Sequence, residues 1–124
     1  MKSRTGSLSL KAFSAALLLC TAGQLLAAFG DVVANVDRVL VQGDATFGGC
    51  MAALSVNPQS VLPNCQAGWV SFSCTGDFTD PIRAYRMVDI AELALATGKQ
   101  VQVWFRDDML HNGYCFAARI DVLR

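Results

Sequence analysis

The chain has 124 residues, ten basic side chains against ten acidic ones, and a hydrophobic share of 53%, which suits one small domain. It lacks the cationic surplus that nucleic acid or an anionic membrane surface would attract. One glutamate, one histidine, and no G-x-S-x-G, phosphate-binding glycine loop or C-x-x-C spacing point away from an enzyme, a metal or a cofactor.

In chain order, the first element is a leader. Lys2, Arg4 and Lys11 precede an apolar stretch from Ala12 to Ala22, the basic and hydrophobic regions of a secretory signal and too short for a membrane span. Ala28-Phe29-Gly30 offers a small-x-small cleavage pattern, so residues 1–30 are read as the signal and 31–124 as one domain. A cut after Ala28 is the alternative. Cys20 leaves with the signal, since Leu19 before it is not the small residue a lipoprotein needs. The exported domain then keeps seven basic and ten acidic residues, a net charge of −3, and is secreted or periplasmic with no membrane span.

Four cysteines remain, Cys50, Cys65, Cys74 and Cys115. An even count in a short exported chain implies two disulfides, with three pairings open. Val36–Gln42, Cys50–Val56 and Trp69–Cys74 read as strands from their β-branched and alternating residues. Gly48-Gly49 reads as a bend, and Asn57-Pro58 and Pro63-Asn64 bracket a loop. Asp80 as cap, Pro81 in the first turn and Gly98 at the end delimit a helix. Its predicted core face is Ala84, Met87, Val88, Ala91 and Leu95. Lys99–Arg106 and Tyr114–Leu123 are two further strands; the latter should turn Phe116, Ala118, Ile120 and Val122 to one side. The segment Asp107–Gly113 between them reads as a loop ending on an Asn-Gly turn. Three strands, a helix and two strands make a mainly β domain with one helix (α+β). That is the element order of a five-stranded oligosaccharide/oligonucleotide-binding (OB) barrel.

Cys50 through Arg106 resembles the binding subunits of one-A-five-B toxins of the subtilase cytotoxin and typhoid toxin type. The matching features are Cys50 and Cys65 fifteen residues apart, Trp69, Ser71-Phe72, and an alanine-rich helix ending in Thr97-Gly98-Lys99 before Val101 to Val103. The ending His111-Asn112-Gly113-Tyr114-Cys115-Phe116 also looks like that of small exported bacterial proteins. The resemblance implies an OB barrel, a pentameric homo-oligomer with the helices around its pore, and a cell-surface glycan as ligand. It carries over no sugar-contacting residue. It also implies a Cys50–Cys65 bridge, which leaves Cys74 for Cys115; hairpin register offers the rival pair Cys50–Cys74.

Two candidate surfaces follow from the residues. Trp69, Ser71, Trp104 and Arg106 combine aromatic rings with hydrogen-bonding groups, as sugar or peptide recognition requires. Ile82, Arg86, Ile90 and Leu93 lie opposite the helix core face and suit a subunit interface, or cover by a loop. Asp107, Asp108 and His111 share the predicted hairpin loop, where aspartates are ordinary turn formers, so no catalytic or metal role is assigned. The sequence therefore points to an exported, non-catalytic binding module that recognises a glycan or a protein surface, with the resemblance favouring a glycan. The alternative is a monomeric exported protein that binds or inhibits a partner protein, and a small hydrolase ranks third.

Overall fold

The computed structural model describes residues 26–124; the basic and apolar leader features lie outside them. Five strands and one helix follow in the order β1 (Phe29–Val41), β2 (Cys50–Leu54), β3 (Trp69–Ser71), α1 (Pro81–Thr97), β4 (Gln100–His111) and β5 (Tyr114–Val122). The strands close into a barrel in the order β1-β2-β3-β5-β4. All neighbouring pairs are antiparallel except β3 with β5, which is parallel. This is the predicted OB-like barrel, with its helix between the third and fourth strands.

The length of β1 closes the barrel. Its first half, Phe29–Asn35, pairs with β4, and its second half, from Val36 on, pairs with β2. A register shift between Val36 and Arg38 marks the handover and is the bulge a strand needs to bend between two partners. Val32, Ala34 and Val36 point inward with Ala52, Val70, Val101, Val103 and Phe105, all buried. The strand starts seven residues before the predicted Val36, so Phe29 and Gly30 stand in the ladder opposite Arg106 and Phe105. A signal cut after Gly30 would fall inside it.

The helix ends are as the sequence indicates. The Asp80 carboxylate accepts from the N–H groups of Ile82 and Arg83, Pro81 opens the first turn, and Gly98 caps the end at φ 66°. Ala84, Val88, Ala91 and Ala94 form the buried face, and their small size lets α1 lie against β1 and β5. Leu95, placed on that face by periodicity, is 43% exposed in the last turn, and Ala94 takes its place.

Three further expectations are corrected. The Asp107–Gly113 loop is largely strand: β4 runs on to His111, and only Asn112 and Gly113, both at positive φ, make the turn. Ala118 is exposed because β5 bulges there: Trp104 pairs with Arg119 but Phe105 with Ala117. The bridges are Cys50–Cys74 and Cys65–Cys115, not Cys50–Cys65 and Cys74–Cys115. The rival register pairing is the observed one, though by another route. Met51 pairs with Ser71, so Phe72 lies across from Cys50. The chain then turns at Ser73, φ 61°, which brings Cys74 back to Cys50. Cys65 meets Cys115 because the β2–β3 loop is tied to the β4–β5 turn by the Gln66 N–H donating to the Gly113 carbonyl at 2.8 Å.

Candidate functional site

The register of β1, β2 and β3 lays two rows of side chains across the outside of the barrel: Arg38, Ala53 and Trp69, and Leu40, Met51 and Ser71. Ala53 is small, so the Arg38 guanidinium reaches over it toward the Trp69 ring, 5.8 Å from the centroid. The β1–β2 loop then folds over the second row. Asp44 sets its bend: the carboxylate accepts the Thr46 N–H at 2.9 Å and the Gln42 side-chain amide at 2.7 Å. The Thr46 bonds, chiefly, hold it below the usual carboxylate range. The loop delivers Phe47 edge-on to Tyr114, with ring centroids 5.5 Å apart and planes at 83°, a favourable aromatic geometry.

Leu40, Phe47, Met51, Trp69 and Tyr114 thereby enclose an open groove of about 160 Å³. Its floor is the outer face of β2 and β3, and its walls come from the β1–β2 loop and the start of β5. In OB barrels this face and these loops are where oligomeric ligands bind.

Directly behind the groove lies a sealed polar knot. Ser71, in the same row as Met51, is fully buried; its hydroxyl donates to the Phe47 carbonyl at 2.8 Å, and its oxygen accepts the Ser73 N–H at 3.2 Å. The Ser73 oxygen accepts the Phe78 N–H at 3.1 Å and lies 2.9 Å from His111 Nε2. The Phe78 ring packs 4.5 Å from the imidazole, and Asp77 Oδ2 stands 3.9 Å from Nδ1. Burial holds the His111 imidazole below its ordinary value, with Asp77 opposing. A neutral ring that accepts the Ser73 hydroxyl at Nε2 carries its own proton on Nδ1, on the side of Asp77. Gly48 completes the seal at φ 76°, where a β-carbon would lie 2.5 Å from both His111 Cδ2 and Ser71 Oγ.

Serine, histidine and aspartate are the residue types of nucleophilic hydrolysis. Here Ser73 is fully buried and its oxygen already holds the Phe78 N–H. No carbonyl carbon can reach it without unpacking the loop, so the trio pins the 73–80 segment to the end of β4.

The predicted ligand residues are dispersed. Trp69 is in the groove. Ser71 is interior and unavailable to a ligand. Trp104 is on β4, separated from β3 by β5, and is roofed by the Arg119 guanidinium 4.2 Å from its centroid. Arg106 is held by Asp108 through paired hydrogen bonds and lies 4.8 Å from the Phe29 ring. Asp107, Asp108 and His111 do not meet: Asp107 binds Ala28 and Asn64, Asp108 binds Arg106, and His111 is in the knot. On the helix, Ile82 and Leu93 are 71% and 55% exposed, and Arg86 pairs with Asp89 on the surface. Ile90 instead packs partly on the core.

Arg38, Leu40, Phe47, Met51 and Tyr114 were missed by sequence reasoning. The available signal was positional: Phe47 and Tyr114 abut the two glycine turns, Gly48-Gly49 and Asn112-Gly113, that become neighbouring loops once the barrel closes.

The chain matches no protein-family model, no curated protein and no solved structure. Among the described residues, no helix is long and apolar enough to cross a membrane.

Proposed function

We propose that this chain is an exported, non-catalytic binding module whose ligand face is the aromatic groove, and that its ligand is a glycan. One observation carries the reading: a groove sits on the outer β2–β3 face, between the two loops an OB barrel uses for ligands, with Trp69, Phe47 and Tyr114 around it and Arg38 at its edge. Aromatic rings cover the C–H faces of a sugar, and the guanidinium and the Tyr114 hydroxyl donate to its oxygens. Two cystines suit an oxidising compartment, in keeping with the basic and apolar leader. The exposed Ile82 and Leu93 leave a helix face for subunit association, so a homo-oligomeric ring remains part of this reading.

The second reading is a partner protein that inserts an apolar side chain. The almost wholly apolar groove wall, with the adaptable Met51 in its floor, favours it. A glycan array probed with oxidised wild type and with Tyr114→Ala separates the two. Glycan signals that the variant loses support the first reading. No glycan signal from the folded wild type rejects it and moves the protein-binding reading into first place.

A further inference from the structure

We propose that the exported chain is processed between Ala27 and Ala28, and that the new α-ammonium of Ala28 is received by the carboxylate of Asp107. The inference rests on the export reading above and adds where the mature chain starts and what holds that end. The Ala28 nitrogen lies 3.0 Å from Asp107 Oδ1, and the Asp107 N–H returns a bond to the Ala28 carbonyl at 3.2 Å. The other carboxylate oxygen is fixed by the Asn64 side-chain amide at 3.1 Å. This receptor for a nitrogen sits where β4 slips register against β5, between Arg106 and Leu110, so the bulge leaves Asp107 free to turn toward the first strand.

Strand pairing, which begins at Phe29, locates the boundary. Upstream, Leu26 is 85% exposed and Ala27 is also exposed. Downstream, Phe29 is in the ladder, and Gly30 is pressed under the β2–β3 loop, where a β-carbon would come within 2.7 Å of Val61 Cγ1. A cut after Gly30 would discard a packed strand residue, and one after Ala28 would discard both bonds to Asp107. A cut after Ala27 keeps both bonds to Asp107 and the whole of β1, and it turns an amide donor into a cationic one, which makes a stronger hydrogen bond to a carboxylate. Ala27 is the small residue before this bond, and Leu25 stands at the outer position where the Ala28-Phe29-Gly30 pattern has alanine; the chemistry is hydrolysis by an endopeptidase. Water adds to the Ala27 carbonyl carbon, the Ala27–Ala28 C–N bond breaks, Ala27 leaves as a carboxylate, and the Ala28 amine takes up a proton.

The test uses the full chain expressed in a secreting bacterial host, with intact mass and N-terminal sequencing of the exported protein. Ala28 as first residue is the expected result. Phe29 or Asp31, or any other start, overturns this inference while leaving export intact; an uncleaved chain overturns both. A second measurement addresses the carboxylate. In the mature protein, Asp107→Asn should lower amide-exchange protection at residues 29–33 by about tenfold at pH 6. The difference should shrink only above the ordinary α-amine range of about pH 8, because the paired carboxylate favours the ammonium. Equal protection in the two proteins at pH 6 overturns the clasp.

Discussion

The groove and the polar knot are back to back on the same loop. Phe47 sends its ring into the groove and its carbonyl to Ser71 in the knot, and Gly48, one residue on, packs against His111. The residues with the richest chemistry, Ser71, Ser73 and His111, are the sealed ones. The groove is made of leucine and aromatic rings over the buried Met51, residues that would pass for core in a sequence. A buried hydroxyl or imidazole must find a partner or cost free energy, and here those partners immobilise the loops that shape the groove. The polar side chains thus hold the loops in place, and the rings are the groups left facing the groove.

The sharpest way to break this division is at Gly48. A valine there must adopt φ 76° and place its β-carbon 2.5 Å from His111 and Ser71. Left-handed backbone costs a β-branched residue roughly 1–2 kcal/mol, and overpacking typically adds about 1–3 kcal/mol. Gly48→Val should therefore lose several kcal/mol and both regions together, seen as a lowered urea midpoint and loss of near-ultraviolet dichroism. A variant as stable as wild type, with the groove intact, would show that the two regions are independent.

The knot should also give the protein a pH signature that the groove lacks. The folded-state value of His111 is depressed by burial. The unfolded chain therefore takes up its proton first as pH falls, and stability is lost from about pH 6.5 downward toward the folded value. Above that range the imidazole is neutral in both states and contributes no slope. His111→Phe should flatten this part of the profile and, by leaving the Ser73 hydroxyl without its acceptor, cost about 1–3 kcal/mol at pH 7.5. Thermal midpoints of both proteins between pH 8 and pH 5 measure it; parallel curves would mean that His111 does not titrate with folding.

Much of the frame was legible because local chemistry dictated it. Asp80, Pro81 and Gly98 bound the helix as their capping preferences require, and the alternation in Val101, Val103 and Phe105 survives in the barrel. Errors arose where non-local pairing overrode local signals. Asp107–His111 has the composition of a loop, yet the second strand of the hairpin draws it into β4. Cysteine spacing carried no information on Ser73, whose left-handed turn returns Cys74 to Cys50. The groove was hidden for the same reason. Its five lining residues come from β1, the β1–β2 loop, β2, β3 and β5, and no window of sequence contains them. Trp69 and Trp104 looked alike in sequence, but only one belongs to the groove.

That contrast between tryptophans sets the smallest expected effect. Arg38 is exposed and stands 5.8 Å from the Trp69 centroid, and it makes no ion pair among the described residues; Arg119 lies closer to Trp104, at 4.2 Å, and is anchored by Asp121 at 2.7 Å. An exposed cation–π contact contributes about 0.5–1 kcal/mol at most, so Arg38→Ala should shift the urea midpoint barely, if at all. The guanidinium is the cationic donor beside the groove, however, so the same change should weaken binding of the groove's ligand and reduce its salt dependence. Arg119→Ala is the matched control: it uncovers Trp104 on the opposite side of β5, and binding should be unchanged. Equal losses of binding in both variants would mean that the ligand spans both faces of the barrel, and that the groove is only part of its site.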